Sequence, residues 1–198
     1  MNGKSSEKLW LMESESRHQC LIYNGPPSQQ LPALAAVIKR KLDEGYRCLY
    51  LNSRPMVSGV RSYLAAMGID VESEVTKRRL VLSSETIASA DGGFDSDMML
   101  EKLEDALDQA LSDGYKGLWA TGDMTWEFGS EKNLAKLMDY EYRLEELMHE
   151  RQELCGICQY HQDTLPREVT RNALLTHRTL FINETLSRVN PDYVPSGV

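Results

Sequence analysis

Strand-like runs alternate with amphipathic segments along almost the whole chain, and this alternation leaves few folds open. "HQCLIY" (18–23) precedes Leu31, Leu34, Ala35, Ile38 and Leu42, which keep helical spacing up to Gly45, and "CLYLN" (48–52) follows. A second helix spans 57–67, closed by Gly68, before the strand "LVLSS" (80–84). The third, from Asp97, runs through Met99, Leu103, Leu107 and Leu111 to Gly114, and a strand follows at 117–121. Leu134, Leu137, Glu141, Leu144 and Met148 line one side of a further helix, then come "LCGICQY", a last helix with Pro166 in its first turn, and a closing strand near "TLFIN". Six strands separated by helices predict an α/β fold: three layers, with a mainly parallel sheet of about six strands and helices on both faces.

In such sheets ligands sit beyond the carboxyl ends of the strands. That rule nominates the loops at 24–28, 53–56, 84–94, 122–130 and 161–165. The first loop, Asn24-Gly25-Pro26-Pro27-Ser28, stands where a phosphate-binding loop would stand, but its two prolines have no N–H to offer an anion. The first lysine after it is Lys39, about three helical turns further on. The loop therefore reads as an ordinary strand-to-helix turn, with at most a weak anion site at the helix start, and ATP hydrolysis is not expected.

The 198 residues suit one domain, and the net charge of −8 argues against direct nucleic-acid binding, which draws on Lys and Arg. No apolar run approaches the roughly 20 residues of a membrane span. The first residues lack the pattern of a secretory signal, so a cytoplasmic protein is expected. The reading divides the chain into a partly disordered arm (1–17), a domain (18–183) and a loose tail (184–198). Cys20, Cys48, Cys155 and Cys158 read as reduced thiols. Although Cys155 and Cys158 have C-x-x-C spacing, residues three apart on a strand point to opposite faces, so neither a disulfide nor a shared metal is expected of the pair. No cofactor or metal is expected.

Several residues carry candidate site chemistry. His18 and Cys20 share a face of the first strand and, with Tyr23, line a pocket in one reading; in the other, His18 is a strand-entry histidine hydrogen-bonded to backbone. Arg54 lies in the second loop. His161, beside Asp163 just past a strand, is better placed for a ligand than His149 or His177. In "TGDMTWEFG", Asp123 closes a strand, and Trp126 and Phe128 form either a structural lid on the next helix or the apolar wall of a small-molecule pocket. No Ser-His-Asp or Cys-His-Asn set can be assembled from spacing.

"HQCLIY", "LDEGYRCLYLN", "GFDSDMMLEKLEDAL", "GYKGLWATGDMTW", "YEYRLEEL" and "CQYH", taken in order, resemble the MEDS family, the methanogen/methylotroph DcmR sensory domain, over most of 18–183. The resemblance implies a RecA-like scaffold without a working P-loop that senses small organic molecules such as hydrocarbon derivatives. His18, Cys20, Asp123, Trp126, Glu141, Cys158 and Tyr160 match the family pattern, whereas Cys155 has no counterpart and His161 stands where members usually carry an acid. The leading expectation is a non-enzymatic sensory module with His18, Cys20, Tyr23, Arg54, Asp123, Trp126, Glu141, Tyr160 and His161 at the ligand. It would report to a signalling partner or a second copy. Two other classes stand beside it: an enzyme using Asp123, Glu141 and His161 as acid/base groups, and a degenerate nucleotide-binding interaction module.

Overall fold

The computed structural model describes residues 17–85, 94–127 and 134–194, with the side chains of residues 126, 127 and 134 outside that description. The arm at 1–17 therefore falls outside it except for Arg17. Strand β1 (His18–Tyr23) leads through a 3-10 turn (Pro27–Gln30) into helix α1 (Leu31–Asp43), then β2 (Arg47–Leu51), α2 (Arg54–Ala66), α3 (Val71–Thr76) and β3 (Leu80–Ser83). Next come α4 (Ser96–Ser112), β4 (Leu118–Asp123), the single turn α5 (Met124–Glu127) and α6 (Leu134–Glu150). The chain closes with β5 (Leu154–His161), α7 (Arg167–Thr176), β6 (Thr179–Asn183) and β7 (Leu186–Val189). Local chemistry sets several of these boundaries. Pro32 in the first turn of α1 gives up an N–H that the helix would leave unpaired. The Asp95 side chain caps α4 by accepting from Met98 N at 3.0 Å. Gly45, at φ +90°, ends the α1 turn in a backbone conformation that residues with a side chain rarely adopt.

The strands form one sheet in the order β3-β2-β4-β5-β1-β6-β7, parallel except for the β6–β7 hairpin. This bears out the mainly parallel three-layer α/β fold, with seven strands where the sequence reading counted six. The added strand is Leu186–Val189, in the stretch read as tail; all four of its residues are exposed, so no apolar pattern announced it. Alternation along the central strands builds two cores. Leu21, Tyr23, Tyr50, Trp119, Cys155 and Ile157 pack with the helices α1 and α2, while Cys20, Leu118, Leu154, Cys158 and Tyr160 pack with α4, α6 and α7. Cys155 and Cys158 thus lie on opposite faces of the sheet, as their spacing on a strand requires, and none of the four cysteines is in a disulfide. Among the described residues no helix is long and apolar enough to cross a membrane.

Candidate functional site

Alternation divides the predicted site residues between two groups, one on each face of the sheet. The first lies at the carboxyl ends of β1, β4 and β5, on the side of α1 and α2. Tyr23 ends β1, and its hydroxyl donates to Asp123 Oδ2 at 2.9 Å; Asp123 Oδ1 accepts from Thr125 N at 2.8 Å, so the carboxyl group also anchors the turn after β4. The Tyr23 ring stacks on His161, with centroids 5.0 Å apart. His161 Nε2 donates to Gly25 O at 2.9 Å, and its Nδ1 meets the Thr164 hydroxyl. Gly25 takes a positive φ of 72°, which turns its N–H toward Asp163 Oδ2, 2.7 Å away. The Gly25 amide, just before the two prolines, is therefore held by an acid.

Deeper on the same face, Gln159 Nε2 donates to the Thr121 hydroxyl at 2.8 Å, which in turn donates to Ile157 O at 2.7 Å. Gln159 Oε1 is fully buried and has no hydrogen-bond partner among the described residues. Nearby, Asn52 donates to the Tyr50 hydroxyl at 3.3 Å. Burial and the charge of Asp123 push both Tyr23 and Tyr50 above the usual phenol range, so both stay protonated and able to donate. Arg54 is exposed at the first position of α2, just beyond β2. Trp126 belongs to α5 next to Asp123, with its side chain outside the described residues, as Phe128 is altogether.

The second group is buried between β1, β5 and the helices α6 and α7. His18 Nδ1 donates to Glu145 Oε2 at 2.7 Å, and its Nε2 lies 3.5 Å from both Glu141 Oε2 and Cys158 Sγ. His177, at the end of α7, places Nε2 3.4 Å from Glu141 Oε2 and donates through Nδ1 to Ala173 O at 2.8 Å. The two imidazoles face each other, ring centroids 4.0 Å apart. Tyr160 donates its hydroxyl to Glu141 Oε1, and Tyr193 donates to Glu145 Oε1 at 3.2 Å. Burial alone would push His18 down, but the adjacent carboxylates of Glu141 and Glu145 outweigh it and hold it up to about 9. His177, buried and facing His18, is pushed down to about 4. The Glu141 carboxyl would rise on burial, yet the two imidazoles and the Tyr160 hydroxyl hold it below the usual range. Cys20, also buried on this face, is pushed well up by burial and by the charge of Glu141.

The residues read from the sequence therefore do not share one pocket. Tyr23, Asp123 and His161 come together at the carboxyl edge. His18, Cys20, Glu141 and Tyr160 lie across the sheet from them, because even positions of β1 face α6 and α7 whereas Tyr23, at an odd position, faces α1. Asp123 and His161 accordingly do not converge with Glu141. Glu145 escaped the sequence reading, and His177 was set below His161 as a ligand although the structure places it in the buried group. Glu145 had a signal, its i+4 spacing from Glu141 on one helix face; His177 had none, since its place follows from β6 lying beside β1. A separate open groove of about 770 Å³ lies on the α1 side toward the amino ends of the strands, lined among others by Gln19, Lys41, Trp119, Phe181 and Arg188.

Comparison with known proteins places these features in a family. The sequence model of the MEDS family (methanogen/methylotroph, DcmR sensory domain) matches residues 17–178, a span that holds both groups except Tyr193. The transcriptional repressor DcmR of Methylorubrum extorquens is 22% identical over 164 residues; the match covers 83% of this chain but 59% of the repressor. In structure, the chain is similar to a KaiC-like protein of Pyrococcus horikoshii, with a TM-score of 0.54 and 16% identity over 84% of this chain and 71% of that one. That likeness is one of fold.

Proposed function

This chain belongs to the MEDS sensory-domain family and shares its signalling role, and on that premise we propose that it is a non-catalytic module that binds a small, largely apolar organic molecule at the carboxyl edge of the sheet. The observation that carries this reading is the loop after β1: its Gly25 amide is taken by Asp163, its two prolines offer none, and beneath it lie Tyr23, Asp123 and His161 instead of a lysine or arginine. An acid-lined turn repels a triphosphate and suits a neutral ligand with one or two polar atoms. Tyr23 and His161 supply a flat ring pair, Asp123 and Gln159 Oε1 supply acceptors, Arg54 stands at the rim, and Trp126, three residues after Asp123, is the residue we assign to the ligand's apolar side. The ligand's presence is passed on by contact with a transcription-regulating signalling protein or a second copy of the chain. The likeness to a repressor that extends beyond the matched region supports this mode of output.

Calorimetric titration of the chain with neutral small organic molecules and, separately, with ATP and magnesium tests this reading. Saturable binding of a neutral compound that Tyr23→Phe weakens, with no binding of ATP, is the expected result. Binding of ATP with turnover would overturn it.

A further inference from the structure

We propose that His18, Glu141, Cys158 and His177 form a binding site for a divalent transition metal ion, with zinc the best fit. The four side chains come from β1, α6, β5 and the end of α7, and all are buried. Each offers one ligating atom, and these atoms all lie within 4.8 Å of one another. Three of the separations, 3.4, 3.5 and 3.5 Å, match the edges of a tetrahedron, which for zinc bonds of ~2.0–2.3 Å are about 3.3–3.7 Å.

The surroundings have the form of an outer coordination layer. Both histidines commit Nδ1 to an acceptor, Glu145 for His18 and the Ala173 carbonyl for His177, which turns Nε2 inward. Tyr160 occupies Glu141 Oε1 and leaves Oε2 facing the two imidazoles. Glu141 Oε2 and His177 Nε2 have no hydrogen-bond partner among the described residues, although their side chains are 1% and 0% exposed. Two orphaned polar atoms so close together are costly in a core, and one cation satisfies both.

Charge points the same way. A carboxylate, a thiolate and two neutral imidazoles balance a divalent ion, so the loaded site is neutral where burial penalises any excess charge. On binding, the thiol proton of Cys158 and any imidazolium proton pass to solvent. The mixed nitrogen, oxygen and sulfur set suits zinc better than magnesium or calcium, which take oxygen ligands. The site stands independently of the sensory reading, since it lies on the other face of the sheet from the carboxyl-edge group.

Elemental analysis and cobalt(II) titration of the full chain test the proposal. The expected result is about one zinc per chain, removed by a chelator with a fall in Tm. Cobalt(II) should give tetrahedral visible absorption and a thiolate charge-transfer band that Cys158→Ser abolishes and Cys155→Ser and Cys20→Ser retain. If Cys158→Ser does not fold, Glu145→Gln serves in its place and should weaken zinc binding by about 10–100-fold through loss of the negative charge on the His18 partner. A chain that takes up no zinc at stoichiometric concentration, a charge-transfer band that survives Cys158→Ser, or unchanged affinity in Glu145→Gln overturns the proposal.

Discussion

The hydroxyl of Tyr23 reaches Asp123 across an intervening strand: β5 lies between β1 and β4 in the sheet, yet the two side chains meet at 2.9 Å beyond it. The bond ties together the ends of three neighbouring strands at the edge where the ligand is proposed to bind. A hydrogen bond of this kind to a charged partner contributes about 1.5–3 kcal/mol. Tyr23→Phe should lose stability of that order in urea denaturation while keeping the fold by circular dichroism. A midpoint equal to that of wild type would mean that the bond does not hold the edge together.

Nucleotide binding should be absent. With Gly25 N–H donated to Asp163 at 2.7 Å and no amide on Pro26 or Pro27, the loop after β1 has no free cradle for phosphate oxygens. Thermal unfolding in millimolar ATP and magnesium should give the midpoint seen without nucleotide, and phosphate release should match buffer. Magnesium-dependent turnover lost on substitution of Asp163 or Ser28 would contradict this.

Stability should fall in mildly alkaline solution. Burial pushes the Cys155 thiol up to about 11, with Lys41, Glu44 and Lys116 nearby, and burial also raises Cys48 well above its usual 9. In the unfolded chain these thiols ionise near 9, while the folded chain keeps them protonated, so the folded state binds more protons. The contribution of these two thiols is then full below pH 9 and declines as pH rises from 9 toward 11. Urea midpoints across this range should drop for wild type and drop less for Cys155→Ala. A Cys155→Ala slope equal to that of wild type would show that the thiol is not the source.

Much of the fold was legible because parallel strands buried on both faces write themselves as apolar runs bounded by helical periodicity. β7 was not: it pairs only with β6, and all four residues from Leu186 to Val189 are exposed. Helix α3 was missed for a similar reason, since only Val71 of its six residues is buried, and an Asp70 cap onto Ser73 N starts it. The site was legible residue by residue but not as an arrangement. His18, Asp123, Glu141 and His161 were all named, yet their partners depend on strand order. His18 meets Cys158 because β1 lies next to β5, and it meets His177 because β6 flanks β1 on the other side, neither of which local sequence encodes.

The central claim, that a small apolar molecule binds beside Asp123 and Trp126, is tested most directly by thermal unfolding of wild type and Trp126→Ala across a panel of neutral organic compounds. At least one compound should raise the wild-type midpoint, and Trp126→Ala should keep the unliganded midpoint within a few degrees while weakening binding by about 1–3 kcal/mol, the value of one large apolar side chain. If no compound raises the wild-type midpoint and Trp126→Ala alone loses roughly 3–5 kcal/mol of stability, Trp126 is a core residue and the sensory site at the carboxyl edge is contradicted.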